Sequence, residues 1–273
     1  MSPAIDLDAY LNRIGYSGAA RPTREFLEEI IPRHVQAIPF ENLNPLLGLP
    51  VLLDPGSLER KLLHEQRGGY CFEHNLLLKH VLEAIGFNVQ GLAARVLWGQ
   101  PEDAVTMRSH MLLRVTLEGQ PYLVDVGFGG LTLTGVLRLE PELEQPTPHE
   151  PFRLIEAVGS LRMQALVRGE WKTLYRFTLE EQFQVDYEVS NYYLSTHPRS
   201  HFTQNLIAAR ATADRRYALL NNQLSIHLLN GSTERRTLTS PAEIRETLER
   251  DFLLKLPVGP ELNLSLQRLT QAG

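Results

Sequence analysis

His110-Met111-Leu112-Leu113-Arg114-Val115-Thr116-Leu117-Glu118-Gly119-Gln120-Pro121-Tyr122-Leu123-Val124-Asp125-Val126 reads as two strands around a Glu118-Gly119 turn. A loop of even length sets Leu117 opposite Gln120 and, farther from the turn, His110 opposite Gly127. Side chains alternate along a strand, so Met111, Leu113, Val115, Leu117, Tyr122, Val124 and Val126 share one apolar face. His110, Arg114 and Asp125 share the other. Asp125 is the diagonal same-face neighbour of His110, and such neighbours lie ~7–8 Å apart, within side-chain reach. An odd loop would break this register, because a slip of one residue turns every side chain over. The plain alternative is a solvated His and Asp on the wet side of a sheet, or an Asp125–Arg114 ion pair. Gly127-Phe128-Gly129-Gly130 straight after Asp125 points instead to a ligand, since glycines let backbone approach closely.

Outward from this hairpin the chain divides into three. Residues 1–87 read as helices. Asp6 caps a segment with Leu7, Tyr10, Leu11 and Ile14 at helical spacing, and Thr23 caps a second, where Pro32 is expected to kink or end it. Ser57 precedes a short third helix. A fourth runs from Cys71 to Ile85 and stops at Gly86. Residues 88–182 are strand-like, with turns at Gly119, Gly159 and Gly169, a pattern that suggests a small barrel or curled sheet. Pro141 to Pro151 reads as a loop. Residues 183–273 mix a helix from Gln184 to about Thr196, four short strands, and a helix that starts at Ser240-Pro241-Ala242-Glu243. The fold class expected is α+β with several subdomains.

Bulk properties narrow the function. The 273 residues exceed one ordinary core. A net charge of −5 gives no global case for nucleic-acid or anionic-membrane binding. No apolar run approaches the ~18 residues of a membrane span. Met1-Ser2-Pro3-Ala4-Ile5-Asp6 lacks a basic region followed by an apolar stretch, and one cysteine forms no internal disulfide, so the cytoplasm is the expected location. Nothing in the sequence fixes an oligomeric state.

That cysteine, Cys71, stands in Arg67-Gly68-Gly69-Tyr70-Cys71-Phe72-Glu73-His74-Asn75. A lone cysteine is ordinarily a small buried hydrophobe. Here a glycine pair precedes it and a helix starts at it, so the sulfur faces unpaired backbone N–H groups that favour negative charge. A sulfur nucleophile, an imidazole to take its proton and a carboxylate to orient the ring make a working set. Metal binding is the competitor, but His-Glu-x-x-His and Cys-x-x-Cys are both missing, and Gly68 stands where His64-Glu65 would need a second histidine. No phosphate-binding loop or dinucleotide fingerprint is present. No metal is expected.

Several segments together resemble the arylamine N-acetyltransferase family: Ile38-Pro39-Phe40-Glu41-Asn42-Leu43, Arg67-Gly68-Gly69-Tyr70-Cys71-Phe72-Glu73, Ala94-Arg95-Val96, Ser109-His110, Val124-Asp125-Val126-Gly127-Phe128-Gly129, and Ser195-Thr196-His197-Pro198 with Phe202. The resemblance implies an N-terminal helical bundle over 1–87, a central β-barrel over 88–182 and a C-terminal α/β lid over 183–273, built around a cysteine-protease-like Cys71-His110-Asp125 core. It implies acetyl-CoA as acyl donor and arylamines, arylhydrazines or N-hydroxyarylamines as acceptors, in a ping-pong reaction through acetyl-Cys71. By the same match, Phe40, Val96, Phe128 and Phe202 line the acceptor pocket, and Gly127, Phe128 and Gly129 lie near the pantetheine thioester. Glu41 and Arg67 are expected as structural partners, and His74 and His80 as non-catalytic. An amide synthase of the same fold that moves a longer acyl chain, a cysteine amidase or thioesterase, and a non-enzymatic binding module share these residues and stay open.

Overall fold

The computed structural model of the chain describes residues 5–271. Of the stretch Met1-Ser2-Pro3-Ala4-Ile5-Asp6, on which no signal segment is expected, Met1 to Ala4 lie outside the described residues. The Asp6 carboxylate accepts the Ala9 N–H and starts α1 (Leu7–Arg13), and the Thr23 hydroxyl accepts the Phe26 N–H and starts α2 (Arg24–Ala37). Pro32 sits inside α2 and does not end it. Proline removes one backbone hydrogen bond there, and the turn beyond it carries His34 and Val35 into the core. A two-residue strand, β1 (Phe40–Glu41), and the short α3 (Leu43–Leu46) interrupt the expected helical run. Helix α4 (Pro55–Leu58) is capped by Asp54, not Ser57, with proline at its first position. It continues into a π-helical turn, Glu59–His64. Then α5 (Cys71–Ile85) follows the expected bounds and buries Phe72, Leu76, Leu77, Leu78, Val81 and Leu82.

Strands β2 (Asn88–Val96), β3 (Arg108–Leu117), β4 (Gln120–Val124), β5 (Leu137–Arg138), β6 (Glu144–Gln145), β7 (Phe152–Ala157), β8 (Ser160–Val167) and β9 (Glu170–Phe177) form one antiparallel sheet, in the order β5-β4-β3-β2-β9-β8-β7-β6. The sheet curls until its edges face each other. There the Arg138 N–H donates to Gln145 Oε1 at 2.8 Å and Gln145 Nε2 donates to the Arg138 carbonyl at 3.0 Å. An amide side chain thus spans the last gap of a nearly closed, barrel-like sheet. Leu113 faces Val124 and Leu117 faces Gln120, as an even loop requires.

One face of this hairpin, with Met111, Leu113, Val115 and Val124, packs into the same core as α5. The other face departs from the expected polar side. Leu112 and Leu123 lie on it, buried among Leu92, Phe152, Met163 and Phe177 inside the curled sheet. A sheet rolled on itself has an inner face as dry as its outer one. His110 and Asp125 are therefore buried between two cores, at 2% and 1% exposure.

The remainder comprises α6 (Gln184–Thr196), α7 (His201–Gln204), β10 (Ile207–Ala211), β11 (Arg215–Leu220), β12 (Gln223–Leu228), β13 (Thr233–Thr237), α8 (Pro241–Arg250) and α9 (Pro260–Gln271). Helix α9, which the periodicity did not reveal, is anchored by Leu262 and Leu266. Strand β1 pairs with β10, Phe40 opposite Ala209, at the edge of the second sheet, β1-β10-β11-β12-β13. Early and late parts of the chain thereby share one sheet. Among the described residues no helix is long and apolar enough to cross a membrane.

Candidate active site

Local chemistry fixes where α5 begins. Glu73 Oε2 accepts the Tyr70 N–H at 3.0 Å, tying the helix start back on itself. Its other oxygen pairs with Lys61 at 2.6 Å. Arg67 donates to Glu41 Oε1 through Nε at 3.0 Å and Nη2 at 2.7 Å, a buried pair that pins the loop before Cys71. Gly68 is demanded by space, since a Cβ there would lie 2.0 Å from the Pro39 carbonyl oxygen. Cys71 is therefore presented at the first position of a helix whose start is held from both sides. Its Sγ donates to the Ser109 carbonyl at 3.5 Å.

The barrel meets this helix end through Gly127. A Cβ on Gly127 would lie 2.7 Å from Cys71 Cα and 2.8 Å from Asn75 Nδ2. Only a bare backbone fits, and this brings the turn after Asp125 against the first turn of α5. His110 Nε2 lies 2.7 Å from Asp125 Oδ2. Asp125 also accepts from Tyr175 Oη at 2.9 Å, from Asn75 Nδ2 at 3.2 Å and from the Gly127 N–H at 3.0 Å. The His110 ring packs against Tyr175, 4.9 Å away between centroids, and the edge-on Phe128 at 5.2 Å, which also touch each other at 5.3 Å.

Electrostatics follow from these partners. Burial opposes a charged His110, but the Asp125 carboxylate, with further help from the Cys71 sulfur, outweighs it and holds the ring at about 10. Burial likewise opposes a charged Asp125, yet His110 and the donors around it keep that carboxyl below its usual range. Burial, with the Asp125 charge behind it, drives the Tyr175 phenol well above its ordinary value, so it stays a donor. An imidazolium held by a carboxylate at 2.7 Å, its charge favoured also by the Cys71 sulfur, is able to stabilise a thiolate and to return a proton to a leaving group.

A cavity of about 1450 Å³ opens on this group. Cys71, His110, Phe40, Val96, Gly127, Phe128, Gly129 and Phe202 all line it, so of the residues given a catalytic or binding role from the sequence only Asp125, which is bonded to His110, does not reach it. Asn75 and Tyr175 were not singled out. Asn75 had a signal, because it lies one turn after Cys71 on the same helix face. Tyr175 had none, since pairing of β9 with β2 depends on the closure of the whole sheet. Among the described residues no group of three or more His, Cys, Asp or Glu side chains is placed to hold a metal ion.

His74, on the same helix as Cys71, does different work. Its Nε2 donates to the Pro39 carbonyl at 3.1 Å, so its Nδ1 accepts from His34 Nε2 at 3.0 Å. His34 Nδ1 then accepts from the Tyr10 hydroxyl at 3.0 Å. Every polar atom in this chain is used with both rings neutral. Burial pushes His74 down to about 4 and His34 well below its ordinary value.

The chain is similar to known proteins over most of its length. The N-acetyltransferase family profile matches residues 23–260. The arylamine N-acetyltransferase of Mycobacterium tuberculosis is 47% identical over 253 residues, which cover 91% of this chain and 89% of that protein. The solved arylamine N-acetyltransferase of Mycobacterium marinum superposes with a TM-score of 0.94 at 43% identity, covering 97% of this chain and 100% of that one. The same Mycobacterium marinum enzyme solved in complex with CoA gives 0.93 at 42% identity, covering 97% and 99%.

Proposed function

This chain belongs to the arylamine N-acetyltransferase family, a family of acyltransferases, and from that premise we propose that it moves acetyl from acetyl-CoA to the nitrogen of aromatic amines, hydrazines or N-hydroxyarylamines through acetyl-Cys71. One observation carries the proposal: His110, at 2.7 Å from Asp125, lines the same large cavity as Cys71, whose sulfur favours the charge on the ring. A relative with the same fold, solved in complex with CoA, supports the donor.

In the first half-reaction the Cys71 thiolate attacks the acetyl carbonyl of the donor. The new bond is Cys71 S–C; the bond that breaks is the one between that carbon and the CoA sulfur, which leaves with the proton from His110. One thioester replaces another, so the step is close to isoenergetic. The Cys71 N–H, at the first position of α5, is a donor for the developing oxyanion. In the second half-reaction an arylamine, neutral at pH 7 because the ring withdraws its lone pair, attacks the acetyl carbon. Its N–C bond forms, the Cys71 S–C bond breaks, and His110 accepts the amine proton and serves the departing sulfur. Asp125 holds the ring orientation and the imidazolium charge throughout. Phe40, Val96, Phe128 and Phe202 give the acceptor an apolar bed that suits a flat amine better than water. Gly127, Phe128 and Gly129 are assigned to the pantetheine side of the thioester.

Three working parts follow: 1–87 presents the nucleophile, 88–182 presents its base and carboxylate, and 183–273 covers the cavity as a lid. The test is direct. Intact mass spectrometry after incubation with acetyl-CoA should show one added acetyl group, lost on addition of an aromatic amine and missing in Cys71→Ala. Adducts from long-chain or malonyl thioesters without one from acetyl-CoA would replace this reading with an amide synthase. Release of acetate with no acylated amine would replace it with a thioesterase.

A further inference from the structure

Asn42 is 1% exposed and lies outside the cavity, yet it spends its whole amide on the segment that carries Phe202. Its Nδ2 donates to the Phe202 carbonyl at 2.7 Å and to the Asn205 carbonyl at 2.7 Å. Its Oδ1 accepts the Ile207 N–H at 2.7 Å. Both donors and the acceptor are used.

The segment needs such support. Helix α7 is four residues long and buries none of them, so packing alone does not fix it. The carbonyls at its end have no partners within the helix. Ser200 caps the front of α7, its hydroxyl accepting the Phe202 N–H at 3.3 Å, while Asn42 closes the back from 160 residues away in the chain. Phe202 then stands edge-on to Tyr70, at 5.3 Å and 88°, and 6.2 Å from Phe40, whose strand runs directly into Asn42. Two neighbouring rings of the cavity lining, Phe40 and Phe202, are thereby referred to one stretch of backbone.

We propose that Asn42 is a positioning residue that sets acceptor size selectivity by holding Phe202 at a fixed distance from Phe40. This rests on the acetyl-transfer reading given above.

The test compares one-ring and two-ring arylamines. Asn42→Asp keeps the acceptor for the Ile207 N–H but turns both donors into an acceptor facing two carbonyls. Its kcat/KM ratio, two-ring over one-ring, should rise roughly tenfold, the scale on which small changes in an apolar pocket discriminate substrates. Partial unfolding lowers both values alike and leaves the ratio where it was. Phe202→Ala should raise the ratio by itself, and in that background Asn42→Asp should add less than about twofold, because the two act through one wall. Asn42→Ser, which removes one donor, serves as the second variant and should move the ratio the same way. An unchanged ratio in a folded Asn42 variant, or additive effects with Phe202→Ala, overturns the assignment. Wild-type protein that acetylates neither amine would instead overturn the reading beneath it.

Discussion

Two histidines, His74 on α5 and His110 on β3, are equally dry, yet one is neutral and the other charged. His110 faces a carboxylate and a sulfur and is held at about 10. His74 faces a carbonyl and another neutral ring and is pushed to about 4. Burial is the same in both and opposes charge in both; the partner decides. A carboxylate at 2.7 Å turns a dry pocket into a proton store, while a carbonyl at 3.1 Å makes it a fixed donor that joins α5 to the Pro39 backbone.

The sharpest way to break the contrast is to remove the carboxylate. Asp125→Asn should drop the His110 ring well below about 10, since only the Cys71 sulfur then opposes burial. Acetylation of Cys71 should slow by about 10³- to 10⁴-fold, the scale seen when a triad loses its carboxylate. NMR titration of the ring and single-turnover mass spectrometry read the two effects.

Acid tests the other site. The folded-state value of His74 is depressed from 6.5 to about 4, so between those limits the unfolded chain binds the proton more readily. Stability should fall as pH drops from 6.5 toward 4, by about 3 kcal/mol for a shift of this size, and level off below. His110 runs the opposite way: its contribution is complete below 6.5 and is lost as pH rises through about 10. Urea unfolding across both windows separates them, with His74→Gln expected to flatten the acid limb.

Smallest is Tyr10→Phe. It leaves His34 Nδ1 a buried acceptor without its donor, at a cost of about 1–3 kcal/mol in thermal or urea unfolding. Acetyl-transfer rates at neutral pH should stay unchanged, because the neutral chain does not touch the reacting sulfur.

Much of this was legible in the sequence, for local reasons. The Glu118-Gly119 turn fixed a register, and the register put Asp125 beside His110. Asp6, Thr23 and Ser240 announced helix starts because a cap is a contact between residues three apart. What stayed hidden was long-range. Tyr175 reaches Asp125 only because the sheet closes, and Phe40 pairs with Ala209 only because two ends of the chain meet. The inner face of the hairpin looked wet because alternation reports a side, not what covers it. Pro32 looked like a stop because its cost is local and the burial of His34 and Val35 that offsets it is not.

The backbone seam at Gly127 bears on how the protein becomes active during synthesis. Cys71 leaves the ribosome well ahead of His110, and Asp125 later still; Tyr175 and Phe202 come last. A nascent or truncated polypeptide therefore carries a sulfur with no base, no orienting acid and no cover. The three groups come together only in the finished chain, and a fragment that ends before His110 lacks the set on which the proposed acyl transfer depends.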